Sequence, residues 1–173
     1  SGDRHDYILI AAGSGITPML SIAKTVLGHE PDSTITLIYG NRTTDSIMFR
    51  EELEDLKDRH MRRLSVVHLL SREAQDAELL EGRIDGDRIA ELARRGLIDP
   101  AAADGIFLCG PGEMIDDVTT VLKTLNVDED RIRFERFTPS GEAPKQRPRS
   151  ARAAAAAEDG VQLIRDWIDA PGY

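Results

Sequence analysis

The amino-acid sequence predicts a doubly wound α/β domain in which helices cover both faces of a five-stranded parallel sheet. Apolar runs rich in β-branched residues alternate along the chain with segments of helical spacing. These runs are continuously apolar, which is typical of strands buried on both faces of a parallel sheet. The first and fourth runs each lead into a glycine-rich turn, which often links a strand to the following helix in such folds.

Five apolar runs are predicted to form the strands, at residues 7–12, 34–39, 64–70, 105–109 and 131–137. Helices are predicted near residues 19–27, 49–60, 87–95 and 114–125. The second helix illustrates the signal, because Phe49, Leu53 and Leu56 recur at steps of four and three residues. Strands linked through helices in this way are expected to run parallel.

The α/β pattern ends near Thr138, so a domain over residues 1–138 is predicted. Residues 139–160 hold three prolines, a basic cluster and a run of alanines without apolar periodicity, which is typical of a flexible linker. Residues 161–173 are apolar again. This tail, whose role the sequence does not define, either docks back as a short helix or begins another domain.

Composition excludes several classes of function. With 22 basic and 31 acidic residues, the 173-residue chain has a net charge of −9, which disfavours binding to nucleic acid. No apolar run approaches the roughly 18 residues that a membrane span needs, so no membrane association is expected. The single cysteine, Cys109, excludes an internal disulfide framework, and the four histidines lack metal-ligand spacing. Without a signal-peptide pattern, the expected compartment is the cytoplasm.

The turn after the first strand is the strongest local signal, and it comprises Gly13, Ser14, Gly15, Ile16, Thr17 and Pro18. Its two glycines allow the backbone to approach a ligand closely or to adopt a positive φ. Thr17 is expected to cap the following helix, with Pro18 as the first helical residue. The positive end of that helix then favours an anion such as a pyrophosphate. The alternative is a tight turn that serves stability alone.

A second glycine-rich turn follows the fourth strand, and the residues of interest are Cys109, Gly110, Pro111, Gly112 and Met114. In a doubly wound sheet the first and fourth strands flank the crevice in which ligands bind, so the two turns are expected to face each other. A lone cysteine is most often a small buried apolar residue. At the mouth of this crevice, a contact between Cys109 and the ligand is the favoured interpretation.

The ends of the second and third strands indicate which dinucleotide binds. NAD-specific sites usually have an acidic residue at the end of the second strand, whereas this strand leads into Asn41 and Arg42. Arg42 and Arg72 are predicted to bind a 2′-phosphate, with Ser71 donating a hydrogen bond. The expected cofactor is therefore NADPH, with NADH as the alternative if both arginines are only solvated loop residues.

Together these motifs resemble the NAD(P)-binding domain of the ferredoxin–NADP reductase superfamily. The matching segments lie in order along the chain, at residues 13–18, 39–42, 49–53, 71–73, 109–112 and 135–137. Within the superfamily, the chain looks most like the reductase components of multicomponent oxygenases such as phenylacetyl-CoA epoxidase. The resemblance implies an oxidoreductase in which NADPH passes hydride to FAD and electrons then reach a [2Fe–2S] centre and an oxygenase, as in phenylacetate catabolism.

The resemblance also implies roles for particular residues. Cys109 and Glu135 are the expected catalytic residues, with Cys109 and Gly110 beside the nicotinamide and Phe137 stacking near the flavin ring. Gly13, Ser14, Gly15 and Thr17 are expected at the pyrophosphate, and Asn41, Arg42, Ser71 and Arg72 around the adenosine ribose and its phosphate. Ile16, Pro18, Pro111, Gly112 and Met114 complete the expected cofactor site. For Glu135, a buried carboxylate with a purely structural role is the alternative.

The motifs of the flavin and iron–sulfur domains are missing from this sequence. The resemblance implies that FAD is held by an N-terminal domain, and the [2Fe–2S] cluster by a C-terminal ferredoxin-like domain, of the same or a separate chain. Two other readings remain. One is a non-catalytic nucleotide-sensing or interaction domain that has lost its flavin partner. The other is a different Rossmann-like enzyme, for which no catalytic constellation is visible.

Overall fold

A computed structural model describes residues 4–137. Its strands are β1 Asp6–Ala12, β2 Thr34–Asn41, β3 Leu64–Leu70, β4 Gly105–Pro111 and β5 Ile132–Phe137. Its α-helices are α1 Ile16–His29, α2 Arg50–Arg59, α3 Gly86–Arg94 and α4 Gly112–Thr124. All strand pairs are parallel, in the order β3-β2-β1-β4-β5, which confirms the predicted five-stranded doubly wound sheet.

Two apolar cores lie on opposite faces of the sheet, which explains why the strands are apolar at successive positions. On one face, Leu9 of β1 belongs to the same buried cluster as Met19 of α1. On the other face, Ile10 of β1 belongs to a cluster with Ile89 of α3 and Ile115 of α4. Because neighbouring residues of a strand point to opposite faces, burial on both sides requires an unbroken apolar run.

The β2 and β4 strands extend two residues beyond their predicted ends. Consequently Asn41 and Pro111 are the last strand residues, and α4 begins directly after Pro111. Strand β5 begins one residue later than predicted, at Ile132, because residues Glu129–Arg131 form a 3₁₀ turn. These extensions carry both strands to the edge of the sheet at which ligands bind in this class of fold.

The predicted start of the first helix is wrong. Gly15, and not Thr17, occupies the N-cap position, and Pro18 is the third helical residue instead of the first. A 3₁₀ turn over Gly13–Gly15 runs directly into the helix, with Gly15 already in the right-handed helical region, so no extended residue remains to act as a side-chain cap. Pro18 is tolerated there because the first-turn N–H groups of a helix have no intrahelical acceptor.

The end of the domain near Thr138, the linker at 139–160 and the tail at 161–173 lie outside the described residues. Within the described part of the chain, no helix combines the length and the apolar character needed to cross a bilayer.

Helices α3 and α4 contact each other through Gly86. Its backbone N–H donates to Asp117 Oδ2 at 2.5 Å. A β-carbon added at Gly86 would overlap Val121 Cγ2 and lie 3.1 Å from the Asp117 carbonyl oxygen. Only glycine therefore allows this approach, which brings the start of α3 to the side of α4.

Replacing Gly86 with alanine is expected to destabilise the domain by about 1–3 kcal/mol, because the added methyl overpacks the contact between the two helices. Gly28→Ala is the matched control. No atom lies within 4 Å of a β-carbon built at this helical position, so alanine should stabilise the chain by about 0.5–1 kcal/mol through helix propensity. Urea denaturation of the two variants measures both effects. Equal stabilities would contradict the packing argument.

Candidate functional site

A cavity of about 960 Å³ lies at the carboxyl edge of the sheet. Among its lining residues are several of the predicted site residues, namely Gly13, Ser14, Asn41, Arg42, Ser71, Arg72, Pro111 and Met114. They come from both glycine-rich turns and from the ends of β2 and β3, since β1 lies between β2 and β4. The structure therefore brings the two turns to one cavity, as the sheet order predicts.

Two buried glycines lie where the turns meet. A β-carbon on Gly15 would overlap the carbonyl oxygen of Cys109, so the first turn lies directly on the end of β4. A β-carbon on Gly110 would lie 2.6 Å from Met114 Cε and 3.4 Å from Ala12 Cβ. Both glycines are buried and neither lines the cavity. Their close contacts position the two turns whose other residues line the cavity.

The first turn is also attached to the core through Tyr39, a fully buried residue to which the sequence assigned no role of its own. Its hydroxyl lies 3.4 Å from the carbonyl oxygens of both Gly13 and Met48, either of which can accept its proton, and it accepts from the backbone N–H of Met48 at 3.2 Å. Gly13 itself has a φ of 55°. The hydroxyl therefore links the left-handed start of the turn to the loop after β2.

The two predicted catalytic residues lie on neighbouring strands. Cys109 of β4 pairs in register with Glu135 of β5. The Cys109 side chain is only 3% exposed, and burial, with a smaller contribution from the negative charge of Glu135, raises the pKa of its thiol to about 12. Glu135 is exposed, which contradicts the burial assumed in the structural alternative, and its catalytic role stays a prediction. Neither residue lines the cavity, so the expected contact between Cys109 and the ligand stays a prediction.

The other predicted site residues lie outside the cavity lining. Ile16 is fully buried in the core, whereas Thr17 is exposed and Pro18 half-buried on the first turn of α1. Gly112, also half-buried, begins α4. The backbone of Phe137 pairs with Pro111, and the role predicted for its ring stays a prediction.

The predicted pair of arginines is brought together by the sheet. The Arg72 N–H donates to the Arg42 carbonyl oxygen at 2.8 Å, and the Ser71 N–H donates to the Asn41 carbonyl oxygen at 3.0 Å. These bonds continue the parallel pairing of β2 and β3 beyond the ends of the strands. Both arginines are exposed and line the cavity, so two positive charges stand at its edge.

A third arginine, Arg83, was missed by the sequence analysis. It lines the same cavity, after Gly82, whose φ of 101° turns the chain back toward the sheet. Gly82 was the only feature of the sequence that could have pointed to Arg83. Gly40 and Glu113, which belong to sequence motifs but were given no role, also line the cavity, and lining residues without a sequence signal are Ala12, Ser46, Ile84, Asp85 and Asp117. The cavity therefore combines arginines from loops with carboxylates from the N-cap of α3 and from α4.

Comparison with known proteins agrees with this geometry. Residues 9–120 match the family model of the oxidoreductase NAD-binding domain. The chain belongs to this family. Within it, the fold and the matched relatives place the chain in the ferredoxin reductase superfamily, as the sequence motifs predicted.

Curated relatives of this NAD-binding domain belong to an epoxidase and a monooxygenase. The chain is 49% identical over 140 residues to a subunit of the 1,2-phenylacetyl-CoA epoxidase of Escherichia coli, covering 81% of this chain and 39% of that protein. It is 36% identical over 133 residues to the ferredoxin reductase component of 3-ketosteroid-9-alpha-monooxygenase of Rhodococcus rhodochrous, covering 77% of this chain and 34% of that protein. The chain thus spans well under half the length of these relatives.

Solved structures share the fold. The CS-b5R domains of human Ncb5or, in the NAD+ form, superpose with a TM-score of 0.64 at 29% identity, over 75% of this chain and 36% of that one. The flavohem-like FAD/NAD-binding domain of nitric oxide dioxygenase from Vibrio cholerae gives a TM-score of 0.64 at 28% identity, over 78% of this chain and 52% of that one. Both are similar to the NAD-binding domain over most of its length.

Cys109 is expected to react slowly with a thiol-specific disulfide reagent in the folded NAD-binding domain. With a pKa of about 12, only about one thiol in ten thousand is ionised at pH 8, and the thiolate is the reactive form. Absorbance should show slow labelling of the native chain and rapid release of one equivalent in guanidinium. Cys109→Ser provides the blank. Rapid labelling of the native chain would show that the thiol is accessible and ionisable.

Proposed function

We propose that this chain is the NADPH-binding module of a flavin-dependent reductase that supplies electrons to an oxygenase. The observation that carries the proposal is the Arg42–Arg72 pair at the edge of a cavity lined by both glycine-rich turns. Guanidinium groups bind phosphate through paired, charge-assisted hydrogen bonds, and two of them suit a dianionic 2′-phosphate. The relatives, one a subunit of an epoxidase and the other the ferredoxin reductase component of a monooxygenase, support the electron-transfer role.

The described residues fit a dinucleotide in two further ways. Gly13, with a φ of 55°, begins the 3₁₀ turn at the cavity wall, and this turn leads directly into the N-terminus of α1, which favours anions. Asn41, the last residue of β2, lines the cavity and adds a polar side chain to its wall beside Arg42. We assign the pyrophosphate to Gly13 and Ser14, with Gly15 keeping their turn against β4, and the ribose phosphate to Arg42, Ser71 and Arg72.

The remaining predicted residues belong to the other end of the proposed site. When bound, NADPH supplies a hydride for a flavin. Cys109 contributes an uncharged, polarizable side chain, because its raised pKa keeps the thiol protonated. Glu135 is exposed at the neighbouring strand end, so its carboxylate can accept a hydrogen bond or exchange a proton with solvent. Thr17, exposed on the first turn of α1, faces outward, where the proposed flavin domain would lie.

The proposal assigns the other cofactors to further domains. FAD would be held by an N-terminal domain and a [2Fe–2S] cluster by a ferredoxin-like domain, on the same polypeptide or on a separate one. The share of the relatives that this chain covers, 39% and 34%, leaves room for both. A cytoplasmic location and an oxygenase of the phenylacetyl-CoA epoxidase type belong to the same proposal.

Calorimetric titration with 2′,5′-ADP and with 5′-AMP tests the cofactor assignment. The parent chain should bind 2′,5′-ADP more tightly, and Arg72→Ala should weaken that ligand by about 1.5–3 kcal/mol, the size of a hydrogen bond to a charged group. Binding of 5′-AMP should be unchanged. Arg62→Ala is the charge-matched control, because Arg62 is exposed just before β3, at the opposite edge of the sheet from the cavity. Equal affinities of the parent chain for both ligands would move the assignment to NADH.

Reconstitution tests the enzymatic role separately. A flavin-binding domain of the ferredoxin reductase superfamily, supplied in trans with NADPH and an electron-accepting dye, should restore dye reduction, because hydride transfer needs only correct positioning of the two groups. The flavin domain without this chain is the control. Nucleotide binding without any restored reduction would instead favour a nucleotide-sensing domain.

A further inference from the structure

A carboxylate directly follows one of the two arginines that we assign to the 2′-phosphate. Glu73 is exposed beside Arg72, so electrostatics alone would make it unfavourable for an anionic ligand. Both of its oxygens are nevertheless engaged. Oε2 accepts from the Thr44 backbone N–H at 2.8 Å, and Oε1 accepts from Thr44 Oγ1 at 2.7 Å. Glu73 therefore connects the loop after β3 to the loop after β2.

These bonds lie next to the backbone pairing of the arginines. The Arg72 N–H donates to the Arg42 carbonyl oxygen at 2.8 Å. Arg72 immediately precedes Glu73 in the loop after β3, and Arg42 lies two residues before Thr44 in the loop after β2. Beyond that pair the sheet ends, and no further backbone bond between these two loops follows within the described residues. The Glu73 carboxylate is thus the outermost connection that keeps the two arginine-bearing loops side by side.

In the loop after β2, two hydrogen bonds join Thr43 and Ser46, the residues that flank Thr44 and Asp45. The Thr43 N–H donates to Ser46 Oγ at 3.1 Å, and Ser46 Oγ donates to the Thr43 carbonyl oxygen at 2.8 Å. Ser46 also lines the cavity. Because the turn is held internally, its attachment to Glu73 sets the position of the whole turn, including Arg42 at its start.

The Glu73 carboxylate remains available as an acceptor over a wide pH range. Hydrogen bonds from the Thr44 backbone and then from its side chain lower the pKa of Glu73 below its usual range. The group is therefore ionised at neutral pH, and its bonds to Thr44 are charge-assisted.

We propose that Glu73 is a positioning residue, which acts through Thr44 to hold Arg42 and Arg72 in the paired arrangement that recognises a 2′-phosphate. It thereby sets the preference for a 2′-phosphorylated cofactor. This inference rests on the proposed function. Positioning and simple electrostatics make opposite predictions, because removing a negative charge beside two arginines would otherwise strengthen the binding of an anion.

The experiment uses the full 173-residue chain and titrates 2′,5′-ADP and 5′-AMP into three variants. Glu73→Ala should reduce the preference for 2′,5′-ADP about five- to tenfold, less than the loss of a direct hydrogen bond to the charged phosphate, because Glu73 acts through Thr44. Thr44→Val retains the charge and the backbone N–H, so it should reduce the preference about two- to threefold. Asp76→Ala removes a carboxylate of the same loop that has no side-chain bond among the described residues, and should not reduce the preference.

Hydrogen exchange in the absence of ligand separates positioning from charge. The Arg72 amide, which donates to Arg42, should exchange faster in Glu73→Ala and in Thr44→Val, but not in Asp76→Ala. Tighter binding of 2′,5′-ADP by Glu73→Ala, or an unchanged preference with unchanged Arg72 exchange, would overturn the positioning role alone. A parent chain without any preference for 2′,5′-ADP would overturn the proposed cofactor, and this role with it.

Discussion

The close approach of Gly15 to the carbonyl oxygen of Cys109 is the constraint on which the candidate site depends. A β-carbon at Gly15 would overlap that oxygen, so any other residue would lift the first turn from the end of β4. At Gly110 the requirement is weaker, because an added β-carbon would meet only the flexible end of Met114 and would lie in ordinary contact with Ala12. The strand order of the sheet reverses between β1 and β4, which makes these two strands neighbours. The contact between Gly15 and Cys109 therefore places both turns at one cavity.

The electrostatic character of the site follows from the sheet in turn. Parallel strands end at the same edge, so the loops after β2 and β3 continue side by side and bring Arg42 and Arg72 together. The acidic lining residues are Asp85, the N-cap of α3, and Glu113 and Asp117 of α4. A chain with a net charge of −9 thus presents a local positive edge, which is enough for a small anionic ligand but not for the long phosphate backbone of a nucleic acid.

Local rules predicted some of these features and failed for others. Arg42 and Arg72 were identified because each follows a recognisable strand end. Arg83 was missed because a 3₁₀ turn and the left-handed Gly82 separate it from any strand. Threonine is a common N-cap residue, but an N-cap needs an extended backbone. The turn before Thr17 is already helical, so Thr17 lies inside the helix. The bond between Glu73 and Thr44 spans 29 residues and leaves no periodic signal.

The sequence by itself determined the fold class, the strand and helix order and the two glycine-rich turns, because continuous apolar runs and glycines are direct requirements of burial and close approach. Only the tertiary structure decided which residues line the cavity and which support it from beneath. Cys109 and Gly15 are buried, whereas Glu135 is exposed. These outcomes depend on contacts between strands and turns that are distant in the chain, and a local pattern does not encode such contacts.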